Sequence, residues 1–308
     1  MRIRISMPQE SMQRVAAAFR EALPAAIVAT ISEPMRGNAD YVVLGHRDAT
    51  LFDDERTMKA IFVVGAGVGH VLSLPNLPHG AMVVRLEDAG MTEQMVRYSV
   101  AATLRHAQRL DVYARQQRDR VWRQFPPRAP GDIAVGVLGS GVIGAEIARV
   151  IATFGFATRA FSRTRKDIDG VRCFAGDGEF DAFLTGLDVL VAVLPVTERT
   201  SGVLNRSTLS KLARGAHVVN VGRGAHVVDE DLIALLDESH LSGATLDVFD
   251  EEPLPSEHPF WSRDDVAVTP HISGVTLLDQ AVRQIATKIG RLESDLPITG
   301  VVDRERGY

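Results

Sequence analysis

The chain has 308 residues, 45% of them hydrophobic and 24% charged, with a formal net charge of −5. That length suits two ordinary domains rather than one core, and the composition is globular rather than disordered. The negative charge gives no general attraction to nucleic acid or anionic lipid. No apolar run reaches the roughly 18 residues of a membrane span, and the start MRIRISMPQE lacks the apolar centre of a secretory signal. Neither a nucleic-acid nor a membrane partner is expected, and the cytoplasm is the expected location. The one cysteine, Cys173, can form no intramolecular disulfide and is read as a structural thiol; no metal is expected.

In chain order, the first third alternates through RIRIS, a helical QESMQRVAAAFREAL, AAIVATI, YVVLG, IFVVG and MVVRL, which predicts a small α/β lobe. Residues 91–122 hold neither Pro nor Gly and predict one long helix, ended by the prolines of FPPRAPG. From residue 133, short branched-apolar runs (IAVGVLG, ATRAF, DVLVAVLP, GAHVVNV, GATLDVF, DVAVTP) alternate with amphipathic stretches. Apolar runs bounded by Gly, Asp and Pro read as strands buried on both faces, so the fold class is α/β with a doubly wound parallel sheet. After His271, LLDQAVRQIATKIGRLES reads as a helix and PITGVVDRERGY as an extended tail.

IAVGVLGSGVIGAEIARV places Gly139, Gly141 and Gly144 in G-x-G-x-x-G spacing, with Val142 and Ile143 between. The pattern alone is weak, but this loop follows an apolar strand and opens a helix, the setting of a dinucleotide site. NAD-binding members of that architecture carry an acid about 20 residues further on. Here the window holds Ser162, Arg163, Thr164, Arg165 and Lys166, and no carboxylate before Asp167. An acid would repel the extra phosphate of NADP, whereas Arg163 can grip it with a planar fork and Ser162 can donate a hydrogen bond. The expected cofactor is NADP, with NADPH preferred over NADH.

Three strand-end stretches carry unusual polar residues: NVGRGAHV with Arg223, LDVFDEEPLP with Asp247 and Glu252, and VTPHISG with His271. Ligands of open parallel sheets sit beyond the carboxyl ends of the strands, so these residues are expected to converge at the nicotinamide. Reduction of a 2-oxo acid fits them. A carbonyl accepting hydride needs a proton donor and a nearby positive group. His271 is the candidate donor, since imidazole titrates near neutral pH. Pairing with Glu252 would favour its protonated form, and Arg223 can bind a carboxylate and polarise the adjacent carbonyl.

The set G-S-G-V-I-G, S-R-T-R-K, L-P-V-T-E-R-T, N-V-G-R-G, L-D-V-F-D-E-E-P-L-P and T-P-H-I resembles the D-isomer-specific 2-hydroxyacid dehydrogenases over nearly the full length. Within them it is most similar to the glyoxylate/hydroxypyruvate reductase A branch, with LEDAGMTEQM, FSRTRK and VDRERGY as matching phrases. The resemblance implies two doubly wound lobes: a discontinuous, flavodoxin-like substrate domain over 1–93 and 276–308, and a Rossmann NADP-binding domain over 94–275. It implies an Arg223, Glu252, His271 triad and backbone amides of Ala66 and Gly67 facing the substrate carboxylate. It also implies a cofactor wall of Leu194, Pro195, Thr200 and Val221, with Asp247 reaching the nicotinamide amide or ribose.

The implied reaction is NADPH-dependent reduction of glyoxylate to glycolate and hydroxypyruvate to D-glycerate, in a homodimer with Trp122 among its interface candidates. Two departures bear on substrate identity. Gly69 and His70 stand where many relatives carry Asp, and LGHRDA stands where an aromatic is expected. The alternatives are a reductase of bulkier 2-oxo acids and a non-catalytic dinucleotide-sensing protein, since some relatives of this fold act as corepressors.

Overall fold

The computed structural model describes residues 1–45, 50–54, 57–65 and 67–305. The chain folds into two compact units, Met1–Met91 with Thr276–Tyr308, and Thr92–Val275.

Among its described residues the first unit holds five parallel strands: β1 (Arg2–Ser6), β2 (Ile27–Thr30), β3 (Tyr41–Leu44), β4 (Ala60–Val63) and β5 (Met82–Arg85). Their order β2-β1-β3-β4-β5 is the flavodoxin-like one. Side chains alternate between faces along a strand, and here both faces are apolar. Tyr41, Val43 and Phe62 pack with Val15 and Phe19 of helix Gln9–Ala22 and Ile285 and Ile289 of helix Leu278–Leu292. Val42, Leu44, Ile61 and Val63 pack on the other side with Val71 and Leu74. The tail returns beside β5, where the Arg85 amide donates to the Gly300 carbonyl and the Val302 amide to that of Val83. An edge strand is thereby covered.

The second unit holds seven parallel strands: β6 (Ala134–Leu138), β7 (Ala157–Ser162), β8 (Arg172–Ala175), β9 (Val189–Ala192), β10 (Ala216–Asn220), β11 (Leu241–Leu246) and β12 (Val266–Val268). The order β12-β11-β10-β9-β6-β7-β8 reverses between β6 and β9, the topological switch point of a Rossmann sheet. Two parallel-sheet α/β lobes, as the alternation of runs predicts, are therefore present.

The single helix expected over residues 91–122 is instead two, Met91–Ala107 and Leu110–Arg118. Arg109 between them adopts a left-handed conformation, φ 55° and ψ 31°, which costs an L-residue about 1–2 kcal/mol. The compensation comes from later chain. The Arg109 guanidinium lies 5.1 Å from the Phe125 ring centroid and donates to the Pro126 carbonyl at 3.4 Å, while the Tyr113 hydroxyl accepts from the Phe125 amide at 3.2 Å. Local pattern cannot reveal such a break. No described helix is long and apolar enough to cross a membrane.

On β10 the buried His217 ring stacks on His106 at 5.2 Å between centroids and meets Thr245 Oγ1 at 2.9 Å. Burial, then the neighbouring His106 and Arg105, push His217 down from 6.5 to about 3. The unfolded chain thus binds a proton near pH 6.5 that the fold refuses until far lower pH, so this contribution to stability is full above pH 6.5 and is lost as pH falls toward 3. The urea midpoint of the wild type should fall between pH 6.5 and 4.5, and more shallowly in His217→Asn; an equal slope in both would refute the assignment.

Candidate active site

The loop after β6 is shaped by what its glycines exclude. Gly139 has φ +106°, and a Cβ there would lie 2.8 Å from the Val193 carbonyl oxygen. A Cβ on Gly144, inside helix Val142–Ala152, would lie 1.7 Å from the Gly139 oxygen, so no side chain fits between loop and helix. At Gly141 a Cβ would meet nothing within 4 Å. Two glycines close the turn and the middle one leaves open space before the helix N-terminus, which fits the pyrophosphate of a dinucleotide. Val142 is exposed at that N-terminus and Ile143 packs against the core.

Of the remaining expected wall residues, Leu194, Pro195 and Thr200 follow β9 and Val221 follows β10. Leu194 follows β9, its Cδ2 3.1 Å from where a Gly139 Cβ would be. The Pro195 carbonyl accepts from Thr200 Oγ1 at 2.7 Å. Val221 directly follows β10, its side chain buried in one cluster with Val219 and Val191.

The basic loop after β7 is pinned. Ser140 Oγ bonds Ser162 Oγ at 2.7 Å, and Ser162 Oγ donates to the Thr164 carbonyl at 2.8 Å. Arg163 and Lys166 are exposed. Arg165, expected among the phosphate-binding cations, donates to the Cys173 carbonyl at 2.7 Å and pairs with Glu179. In the first unit, the turn after β4 has Gly65 at φ +144° with open space around it. Gly67 follows, while Ala66 and residues 46–49 of LGHRDA lie outside the described residues, as does the His70 side chain.

His271, Glu252 and Arg223 come together. His271 Nδ1 and Glu252 Oε2 are 2.7 Å apart, and Glu252 Oε1 accepts from the Phe249 amide at 2.9 Å. A carboxylate only accepts, so Nδ1 carries the hydrogen of this bond and Nε2 is left to handle a transferable proton. Burial lowers the Arg223 pKa from its ordinary value, opposed by the charge of Glu252; a guanidinium nonetheless keeps its charge. Gly224 explains how the strand ends approach. A Cβ there would lie 1.8 Å from the Phe249 carbonyl carbon and 2.1 Å from the Asp250 nitrogen, so the Arg223 turn presses directly on the backbone leading to Glu252.

Asp247 is 0% exposed and organises the histidine loop. Its Oδ1 accepts from Thr269 Oγ1 at 2.6 Å and the Ile272 amide at 2.8 Å, and its Oδ2 from the Ser273 amide at 2.8 Å. Its carbonyl accepts from the His271 amide at 2.9 Å. His271 itself is held at φ 54°. That conformation costs about 1–2 kcal/mol, whereas hydrogen bonds to a charged group contribute about 1.5–3 kcal/mol each.

Sequence reasoning missed the residues behind this shell. Tyr98 Oη meets Thr269 Oγ1 at 2.6 Å, extending the Asp247 chain into helix Met91–Ala107. Asn220 Nδ2 donates to the Arg223 carbonyl at 2.9 Å and its Oδ1 accepts from the Gly222 amide at 3.1 Å. His226 Nδ1 accepts from the Arg223 amide at 3.2 Å, so its Nε2 hydrogen goes to the Pro195 carbonyl at 3.3 Å. Burial, with the charge of Arg223, lowers the His226 pKa against the bond to Pro195, in keeping with that neutral tautomer. The three-residue spacing of R-G-A-H was the available signal for His226; Tyr98 left none.

Residues 100–273 match the D-isomer specific 2-hydroxyacid dehydrogenase, NAD binding domain. The chain is 41% identical over 288 residues to the glyoxylate/hydroxypyruvate reductase A of Yersinia enterocolitica, covering 91% of this chain and 92% of that protein. The chain belongs to the D-isomer specific 2-hydroxyacid dehydrogenase family. A family member from Xanthobacter autotrophicus, solved in complex with NADPH and MES, superposes with a TM-score of 0.93 at 35% identity, covering 99% of each chain. The NADPH-dependent glyoxylate/hydroxypyruvate reductase of Sinorhizobium meliloti, solved with NADP and sulfate, gives 0.91 at 34% identity, covering 100% of this chain and 99% of that one.

The contact at Gly224 yields a test of this family site. Gly224→Ala should keep the far-ultraviolet circular dichroism of the wild type yet lose roughly 100-fold or more of dehydrogenase turnover, since a misplacement near 1 Å costs about that much. Near-normal turnover would show that the close approach of the two loops is dispensable.

Proposed function

We propose that this dehydrogenase is an NADPH-dependent reductase of small 2-oxo acids, converting glyoxylate to glycolate and hydroxypyruvate to D-glycerate. The observation that carries the proposal is the 2.7 Å bond between His271 and Glu252, with the Arg223 charge beside it and the open Gly141 turn on the same sheet edge. When bound, NADPH supplies the hydride. Gly139, Gly141 and Gly144 with the amides of Val142 and Ile143 hold its pyrophosphate, and Leu194, Pro195, Thr200 and the end of β10 at Val221 flank it. Arg163 and Lys166 face the 2′-phosphate, and Ser162, whose hydroxyl hydrogen goes to the Thr164 carbonyl, holds the loop beside it. Asp247, which can accept a fourth hydrogen bond, lies toward the nicotinamide amide or ribose.

Toward the substrate, Arg223 grips the carboxylate and polarises the neighbouring carbonyl. His271 gives the Nε2 proton to the oxygen as charge develops there, and Glu252 keeps the ring in place and stabilises its charged form. The names of the Yersinia and Sinorhizobium relatives support glyoxylate and hydroxypyruvate as substrates. We place the enzyme in the cytoplasm as a homodimer, its contact face on the arm after helix Leu110–Arg118. Trp122 there is 100% exposed, and Val121 and Leu110 are exposed as well.

Steady-state rates with NADPH and NADH across glyoxylate, hydroxypyruvate and branched or aromatic 2-oxo acids test the proposal. The wild type should favour NADPH and the two small acids. Arg163→Asp should erode the NADPH preference by about 10- to 100-fold, the worth of one charge-assisted contact. Equal use of NADH by the wild type, or preference for bulky acids, would overturn the corresponding half.

A further inference from the structure

The three cations of the loop after β7 are not equivalent. Arg165 spans two acceptors on the neighbouring strand and turn, the Cys173 carbonyl at 2.7 Å and the Glu179 carboxylate. Glu179 is itself fixed, since its Oε2 accepts from the Ala175 amide at 2.7 Å and its own amide donates to the Gly176 carbonyl at 3.2 Å. Gly176 takes φ +71°, which lets the chain turn there after β8. At the other end of the loop, the Thr164 carbonyl is held through Ser162 by the buried Ser140 hydroxyl. Arg163 therefore lies between Ser162 and Thr164, tied to Ser140, and Arg165, tied to Glu179. Both anchors lie on elements packed into the Rossmann sheet.

Building on the proposed use of NADPH, we propose that Glu179 and Ser140 are positioning residues that preorganise the 162–166 loop for the 2′-phosphate. Arg165 then serves as the strut joining Glu179 to the loop rather than as a phosphate clamp. A loop already ordered binds without the entropy loss of ordering it. The Arg165–Glu179 pair is largely exposed, and such a pair adds little to global stability. Its effect belongs to cofactor choice. An NADH molecule has no 2′-phosphate and makes no demand on the loop.

The test uses the full chain and compares KM for NADPH and NADH in Glu179→Gln, Arg165→Met and the double variant, alongside melting temperatures. Each single change should raise KM for NADPH about three- to tenfold while KM for NADH moves less than about twofold and the melting temperature stays put. The double variant should be no worse than the worse single, because both cut one tether. Ser140→Ala, which cuts the other anchor, should raise KM for NADPH further when added to Glu179→Gln. A lower KM for NADPH in Glu179→Gln would mean that Arg165 is a clamp restrained by its acid, and would overturn the proposal. So would unchanged values, or equal increases for both nucleotides. A wild type with no NADPH preference fails earlier, in the unmodified enzyme, and removes the underlying cofactor reading instead.

Discussion

The buried carboxylate of Asp247 is the constraint on which the rest of the catalytic unit depends. It stands at the end of β11, yet its three accepted hydrogen bonds all come from the segment after β12. Its amide is bound to the Asn220 carbonyl at the end of β10, and its carbonyl receives the His271 amide. One residue thus ties three strand ends together. His271 could not otherwise be expected to stay in a left-handed conformation, and without that conformation its ring would leave Glu252.

The glycines act in the same direction by permitting approach. Gly224 brings the Arg223 turn onto the backbone of Phe249 and Asp250, and Gly144 brings helix Val142–Ala152 onto Gly139. Each contact is backbone against backbone, so neither can be recovered by moving a flexible side chain. Gly141 is the complement, a place kept empty. Close packing on either side of an open turn gives a rigid frame in which a cofactor and a small substrate can be held without reorganisation.

Much of this was legible in the sequence because the signals are local. Apolar runs bounded by Gly and Asp gave the parallel strands, and the glycine spacing together with its strand–helix setting gave the turn. The placement of Arg223, Glu252 and His271 after successive strands pointed to one edge of one sheet. What was illegible depends on partners distant along the chain. The break at Arg109 rests on Phe125 and Pro126, the commitment of Arg165 rests on Glu179, and Tyr98 reaches the histidine loop only through Thr269.

The central claim, that Glu252 acts through His271 on a single proton, is tested most directly by a double-mutant cycle on kcat/KM for glyoxylate reduction with His271→Asn, Glu252→Gln and the pair. His271→Asn should lower it by about 10²- to 10⁴-fold, the usual worth of a positioned proton donor. Glu252→Gln should lower it less, and the double variant should fall within about threefold of His271→Asn alone, since groups working as a unit are strongly non-additive. Losses that multiply in the double variant would contradict the account and give the two residues independent roles.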